Sequence, residues 1–188
     1  MKTISKILLT IYLLTLLLIS IFQFQYSVLI SLVLLIPLIK FKTTLYKIEY
    51  LIYVYLTQVL GTTCQFYSLP YYDKIMHFLS GMVFVIIAYF LFKNDIKQKS
   101  ILYIFINCVE ATIAFLWEVF EYSGLLLFNY DASRHYTTGV HDTMQDMIFS
   151  FLAGLIITFI IYKYPFYIDS LYKSQPDSPV EVSQQSHI

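Results

Sequence analysis

Residues 71–90 have the sequence YYDKIMHFLSGMVFVIIAYF, a polar start followed by a run of apolar residues. The apolar segment that begins here, residues 75–92, is close to the roughly 20 residues that an α-helix needs to cross the hydrocarbon core of a bilayer. Asp73 and His77 are four residues apart, so they share one face of that helix. The stretch therefore predicts a membrane-spanning helix with ionisable side chains at one end.

The composition of the whole chain favours the bilayer as its solvent. Of the 188 residues, 59% are hydrophobic and 13% are charged, whereas soluble domains are roughly 45–50% apolar and about 25% charged. So little polar surface does not cover a water-soluble globule of this size. The formal net charge is +0, and a nucleic-acid partner would require a basic face. We predict membrane lipids, and no nucleic acid, as partners.

Six apolar segments of nearly spanning length follow one another along the chain. They cover residues 5–22, 25–41, 48–66, 75–92, 101–127 and 143–162. We predict an all-α fold, a polytopic membrane helix bundle of about six transmembrane helices, over residues 1–172, with its motifs in about 70–160. Residues 173–188 end in SQPDSPVEVSQQSHI. This polar stretch cannot bury enough apolar surface to order itself, which predicts a disordered cytoplasmic tail.

The distribution of the basic residues sets the predicted orientation. With six spans and the amino terminus inside, all but two of the basic residues fall on the cytoplasmic side: Lys2, Lys6, Lys40, Lys42, Lys47, Lys93, Lys97, Lys99, Lys163 and Lys173. Lys74 and Arg134 fall outside. Because lysine and arginine mark the cytoplasmic loops of membrane proteins, this division predicts that both termini are cytoplasmic.

Ionisable side chains within a span cost about 2.5 to 3.5 kcal/mol each on insertion scales, so a cluster of them is informative. The predicted topology places seven such residues in the outer half or at the outer boundary of their helices: Asp73, His77, Glu118, Glu121, His141, Asp142 and Asp146. In projection, Glu110 and Glu121 are about 20° apart and Glu118 is about 60° further round, so all three could face one bundle interior. Ser150 and Gly154 continue the four-residue spacing of the two aspartates, which predicts a close helix contact.

Carboxylates that converge in a low dielectric need a neutralising partner. A divalent cation is one solution, because carboxylate and imidazole groups ligate zinc, manganese or iron. On this hypothesis a Zn or Mn cofactor is held by four residues: Asp73, His77, Asp142 and Asp146. Shared protons, or ion pairs with Lys74 and Arg134, are a second solution. A third is that these side chains only cap helices or lie at the membrane interface.

Three motifs resemble those of the YjdF-like family of bacterial inner-membrane proteins. They are YYDKIMHFLSG, WEVFEYS and HDTMQDMIFSFLAG, which correspond to that family's D-K-x-x-H-F, E-x-x-E and W-D-x-x-x-D-M elements. The chain departs from the family in having Val140 and His141 before Asp142, where a QGD-x-W-D-like stretch is usual. The motif order is also more distantly similar to that of the VanZ-like proteins. The resemblance implies a setting in the bacterial cytoplasmic membrane and cell envelope, and it implies no reaction.

Hypotheses from different functional classes remain open. In the first, the cluster belongs to a membrane protein that binds a cation, a lipid headgroup or an envelope partner, or it locks three helices together. In the second, the chain is a metal-dependent hydrolase or transferase acting on a lipid-linked envelope substrate, with Glu118 or Glu121 as general base. A proton- or cation-coupled transporter is a third hypothesis, which Glu110 supports best. Substitutions should lower stability under the first hypothesis and abolish turnover under the second.

Overall fold

The computed structural model describes residues 2–22, 26–40, 44–129 and 136–172. Every regular element in these ranges is a helix, so the prediction of an all-helical protein is confirmed for the described part of the chain. Two subjects of the sequence predictions, the tail at residues 173–188 and Arg134, lie outside the described residues.

The described ranges contain ten helical elements in chain order. They are α1 (Lys2–Phe22), α2 (Tyr26–Val33), α3 (Pro37–Lys40), α4 (Thr44–Val54), a π-helix (Tyr55–Thr63), a 3₁₀-helix (Phe66–Ser68), α5 (Tyr72–Phe92), α6 (Lys99–Phe128), α7 (Val140–Lys163) and α8 (Pro165–Tyr172).

Three of these helices, α5, α6 and α7, are long and apolar enough to cross a membrane. The shortest of them, α5, has 21 residues, which correspond to about 32 Å at 1.5 Å per residue, against about 30 Å of hydrocarbon. Large apolar side chains such as Leu116, Leu127 and Phe159 are exposed on these helices. Exposed apolar surface of this kind suits contact with lipid rather than with water, as expected of a membrane protein.

The first three predicted segments take a less regular form. Segment 5–22 lies within α1, and the described part of segment 25–41 is divided by a turn at residues 34–36. Pro37 is the first residue of α3. An N–H at this position would have no partner within the helix, so the absence of one in proline breaks no hydrogen bond. Segment 48–66 consists mainly of α4 and the π-helix that continues it, a wider helix with i→i+5 hydrogen bonds. Segment 5–22 therefore lies in one continuous α-helix, whereas the described parts of segments 25–41 and 48–66 are helical without forming one long α-helix each.

The three long helices pack on one another and form the three-helix unit of the protein. Within this unit α5 packs most extensively against α7, and both helices also contact α6. The α5–α7 contact is close because Gly81 has no side chain; a Cβ there would overlap the carbonyl oxygen of Ser150. Small residues allow helices to approach in this way within membranes. The predicted close contact of the Ser150 and Gly154 face is thus found against α5.

The two ends of the three-helix unit differ in chemistry. We call the end formed by the start of α5, the later part of α6 and the start of α7 the carboxylate end; it contains Asp73, Lys74, His77, Glu118, Asp142 and Asp146. The other end, which we call the opposite end, has an apolar core that includes Val85, Ile106 and Ile161. At the opposite end Lys93 binds Asp169, which fastens α8 to α5.

Candidate functional site

The carboxylate end is built where two helices begin beside a third. The residue before α5, Tyr71, has a left-handed backbone with φ 64°, which turns the chain directly into the helix. Asp73 then lies in the first turn of α5 and Asp142 in the first turn of α7. An acidic side chain is favoured at both positions because the amino terminus of a helix carries partial positive charge.

Lys74 joins α5 to α7 at this end. Its Nζ lies 2.6 Å from Oδ1 of Asp142 and 2.7 Å from Oδ1 of Asp146. The same ammonium donates to the carbonyl oxygen of Asp142 at 3.3 Å. All three side chains are largely removed from solvent, with the lysine side chain 13% exposed. The lysine ion pair considered as an alternative in the sequence analysis is therefore present.

A group with the spacing of metal ligands lies beside this ion pair. One ligand atom from each of Asp73, His77 and Asp146 lies within 4.8 Å of the other two. Nε2 of His77 is 3.6 Å from Oδ1 of Asp73 and 3.9 Å from Oδ1 of Asp146. Bonds of about 2.0–2.2 Å to zinc place two ligand atoms of one ion at most about 4.4 Å apart. The two distances from His77 fit that limit, and the 4.8 Å bound on the whole group comes close to it, so a small adjustment would let the three side chains share one ion.

Glu118 on α6 approaches the same group from the third helix. It is 5% exposed, and its Oε1 lies 3.9 Å from Nε2 of His77. Neither carboxylate oxygen has a hydrogen-bond partner among the described residues. Thr143 lies close to this carboxylate, but its hydroxyl is outside hydrogen-bonding geometry. A buried carboxylate is costly without a charged or hydrogen-bonding partner, so Glu118 marks a position where a positive ligand would be stabilised.

The charges of the carboxylate end are unbalanced. Four carboxylates face one ammonium, that of Lys74, and one imidazole: Asp73, Glu118, Asp142 and Asp146. Even a protonated imidazole would leave the group with an excess of negative charge. Carboxylates that share a low-dielectric space need additional cations or protons. The arrangement can therefore stabilise a cation chemically, and it contains both oxygen and nitrogen donors.

Two of the predicted site residues have other partners. Asp142, a predicted metal ligand, binds Lys74 and lies outside the group with ligand spacing. Glu121, a predicted general base, accepts a hydrogen bond of 2.8 Å from Nε1 of Trp117 on its own helix. The metal and catalytic roles of the site residues, including those of Glu118, stay predictions.

The remaining ionisable residues of the motifs are spread over different surroundings. His141 is exposed and contacts Gln145 at 3.0 Å. Glu110 is buried nearer the start of α6 than Glu118, and its Oε1 accepts a hydrogen bond from Ser150. The Ser150 partner of Glu110 was not predicted from the sequence, and neither was a role for Asn107, which lies about one helical turn before Glu110. The four-residue spacing from Asp146 to Ser150 was the signal that could have identified the partner of Glu110.

Comparisons with known proteins cover the region that contains this site. The family described as "Predicted membrane protein (DUF2238)" matches residues 3–165, which include the whole carboxylate end. An "Uncharacterized protein" of Thermotoga maritima is 29% identical over 120 residues, 58% of this chain and 58% of that protein. The chain thus matches less than two thirds of that relative's length. No solved structure matches the chain. The YjdF-like resemblance is consistent with these matches, and the similarity to VanZ-like proteins stays a prediction.

Proposed function

The chain belongs to the DUF2238 family of predicted membrane proteins, and on this premise we propose that it binds a divalent cation at the carboxylate end. The ligands in this proposal are Asp73, His77 and Asp146, with Glu118 beside them. Two carboxylates and an imidazole suit zinc or manganese, which accept mixed oxygen and nitrogen donors. The protein would act as a cation-binding membrane protein of the bacterial cell envelope.

The observation that carries this proposal is the unpartnered carboxylate of Glu118. It is 5% exposed, lacks a hydrogen-bond partner among the described residues and lies 3.9 Å from the His77 imidazole. Lys74 already neutralises Asp142 and one oxygen of Asp146. Lys74 also lies 3.9 Å from Oδ2 of Asp73. The carboxylate that Lys74 leaves uncompensated is therefore that of Glu118, on the side of the cluster where the imidazole lies.

A cation titration tests the proposal. We expect one Mn²⁺ or Zn²⁺ ion to bind per wild-type chain in detergent, and Asp73→Asn to weaken binding at least about tenfold, or about 1.4 kcal/mol. Asp95→Asn is the matched control, because Asp95 is exposed and lies between α5 and α6 at the opposite end. Isothermal titration calorimetry on monodisperse samples measures the difference. Equal binding by wild type and Asp73→Asn, or none by wild type, would count against the site.

We propose further that the chain is a multi-pass protein of the bacterial cytoplasmic membrane with six spans and both termini in the cytoplasm. The support is the segregation of lysine, which places the carboxylate end at the outer face. A membrane-impermeant maleimide tests the orientation after Cys64 and Cys108 are replaced by serine. On intact cells the reagent should label Tyr136→Cys and leave Lys97→Cys unlabelled. Labelling of Lys97→Cys alone would reverse the proposed orientation.

A hydrolase or transferase acting on a lipid-linked envelope substrate is the second candidate function. The observation that favours it is again Glu118, whose carboxylate lies 3.9 Å from the imidazole. It would act as the general base, and a cation held by Asp73, His77 and Asp146 would supply the activation of water. Glu121 is less suited to this role because it accepts the Trp117 hydrogen bond. An enzyme predicts that Glu118→Gln loses turnover of lipid-linked substrates in vesicles even at Mn²⁺ concentrations that saturate the variant. If no turnover is found with wild type and Mn²⁺, the binding function alone remains.

A further inference from the structure

A second group of buried oxygen atoms lies deeper in the three-helix unit. Glu110 on α6 is 1% exposed, and its Oε1 accepts a hydrogen bond from the Ser150 hydroxyl on α7. Its Oε2 has no hydrogen-bond partner among the described residues. Glu110 precedes Glu118 by eight residues, which places it about 12 Å nearer the start of α6. This carboxylate is thus separate from the carboxylate end.

Asn107 presents a second unpartnered oxygen to the same place. Its Nδ2 donates to the carbonyl oxygen of Tyr103 and to Oγ1 of Thr158, each at 2.7 Å. Because a carbonyl oxygen can only accept, the bond to Tyr103 fixes which amide atom is nitrogen. Oδ1 therefore points the other way, and it has no hydrogen-bond partner in the described part of the chain. Asn107 is 7% exposed, so water at the surface does not satisfy this oxygen.

The two unpartnered oxygens converge on the space that Gly154 leaves open. A Cβ built at Gly154 would lie 3.4 Å from Oδ1 of Asn107 and 3.4 Å from Oε2 of Glu110. Both atoms are acceptors, so neither can satisfy the other. A positive group between them would satisfy both at once, and leaving both unsatisfied in a low dielectric is costly.

The charge of this group selects a monovalent ligand. One carboxylate, one amide oxygen and the hydroxyl of Ser150 carry a single formal negative charge. The side chain that α5 places against Gly154 is Val85, at 3.1 Å from the added Cβ, and it is apolar. One negative charge would balance only half of the charge of a divalent ion. Such an ion would also require more oxygen ligands than the group offers. A proton or a sodium ion matches the charge.

We propose that Glu110 and Asn107 form a second cation site, inside the three-helix unit, that holds a proton or Na⁺. Both ligands satisfy the oxygen pair by the same chemistry, a positive charge shared between Oε2 and Oδ1. The hydroxyls of Ser150 and Ser80 connect this site to the carboxylate end: they are 3.0 Å apart, and Ser80 donates to the carbonyl oxygen of His77 at 2.6 Å.

The fold also indicates the direction from which the cation enters. Beyond Asn107, towards the opposite end, the interior is filled by the apolar side chains of Val85, Ile106, Ile157 and Ile161. A cation has no polar ligands among these residues. Among the described residues, the polar connection through Ser150 and Ser80 leads to the carboxylate end, so the second site communicates with that end.

Two measurements on the full chain in detergent test this site and distinguish the two ligands. In the sodium arm, replacing choline chloride by NaCl at constant ionic strength should raise the unfolding midpoint of wild type by several degrees. Glu110→Gln should remove this rise. If the site holds a proton instead, sodium should not change the unfolding midpoint. The infrared spectrum should then contain a carboxylic-acid C=O band that Glu110→Gln removes. Glu49→Gln is the matched control and should change neither result.

A second variant keeps the test independent of the charge change. Gly154→Ala retains both oxygens but places a methyl group in the space between them, so it should abolish the effect of sodium. Wild-type protein with neither a sodium effect nor a carboxylic-acid band that depends on Glu110 would overturn the second site. Glu110→Gln should leave Mn²⁺ binding at the carboxylate end unchanged, so failure of one site does not imply failure of the other.

Discussion

The two ends of α5 each carry a lysine paired with aspartate, and the two pairs differ in balance. At the carboxylate end, Lys74 contacts Asp142 at 2.6 Å and Asp146 at 2.7 Å, with side chains 13%, 7% and 4% exposed. At the opposite end, Lys93 contacts one carboxylate, that of Asp169, at 2.6 Å, and both side chains are more accessible to solvent. One ammonium thus hydrogen-bonds two buried carboxylates and lies 3.9 Å from a third, that of Asp73, whereas the other ammonium pairs with one carboxylate near the surface.

This difference separates a structural pair from a candidate binding site. A balanced pair such as Lys93–Asp169 has no charge left over, and it fastens α8 to the three-helix unit. The carboxylate end keeps an excess of negative charge after Lys74 has been counted, with Glu118 as the carboxylate that Lys74 does not pair. We infer that a lysine–aspartate contact alone does not indicate a site; the uncompensated buried carboxylate beside it does.

The largest expected effect comes from removing each lysine in turn. Lys74→Met should lower the free energy of unfolding by about 3–5 kcal/mol, because it leaves two buried carboxylates without their counter-charge. Lys93→Met should cost about 0–1 kcal/mol, as expected of a pair near the surface that water partly screens. Denaturant titration in mixed micelles measures both values. Equal losses for the two variants would show that the two pairs are equivalent, contrary to our comparison.

A smaller effect is expected where backbone contact holds the helices of the carboxylate end together. Gly81→Ala introduces a Cβ that overlaps the Ser150 carbonyl oxygen, so α5 and α7 must separate, at a cost of about 1–3 kcal/mol. Gly154→Ala meets Val85 at 3.1 Å, a side chain that can adjust, and should cost less. Unfolding midpoints of the two variants provide the measurement. A greater loss for Gly154→Ala would contradict the packing described for this seam.

The smallest effect is expected at the opposite end, from Tyr172 on α8. Its hydroxyl donates a 2.6 Å hydrogen bond to Glu49, and burial together with that carboxylate raises the pKa of Tyr172 above its ordinary value. A raised pKa means that the folded state favours the protonated phenol. Its contribution to stability is therefore complete below a pH of about 10, the ordinary tyrosine pKa, and is lost as the pH rises above it.

Tyr172→Phe should accordingly remove part of the alkaline loss of stability and cost about 0.5–1.5 kcal/mol near neutral pH. Unfolding midpoints of wild type and Tyr172→Phe, compared from neutral pH to above about 10, measure this difference. Parallel pH profiles for the two proteins would mean that the Tyr172 hydroxyl does not titrate in the folded state as described.

The sequence could predict which side chains meet at one end, because depth along a span depends only on residue count and orientation. These side chains are Asp73, His77, Glu118 and Asp146. Helix rotation is harder to predict. The projection that placed Glu121 in the same interior sector did not include Trp117, whose indole N–H binds that carboxylate. A short-range side-chain bond of this kind decides which of several neighbouring carboxylates stays free.

The less regular elements were also beyond prediction from hydropathy. The turn that divides segment 25–41 and the π-helix after α4 change hydrogen-bond register without changing composition. The partnership of Lys74 with both Asp142 and Asp146 likewise depends on the closeness of α5 and α7, which the Gly81 contact permits. Sequence spacing indicated that closeness, but the number of carboxylates that one ammonium reaches required the side-chain positions.

The most direct test of the central claim is the detection of His77 as a ligand of bound Mn²⁺. Pulsed electron paramagnetic resonance of the Mn²⁺-loaded protein should show coupling to an imidazole nitrogen in wild type and in the control His141→Gln, whose parent histidine is exposed. The coupling should disappear in His77→Gln. Nitrogen coupling that persists in folded His77→Gln, or wild-type protein that binds no Mn²⁺, would contradict the proposal that the carboxylate end is a cation site.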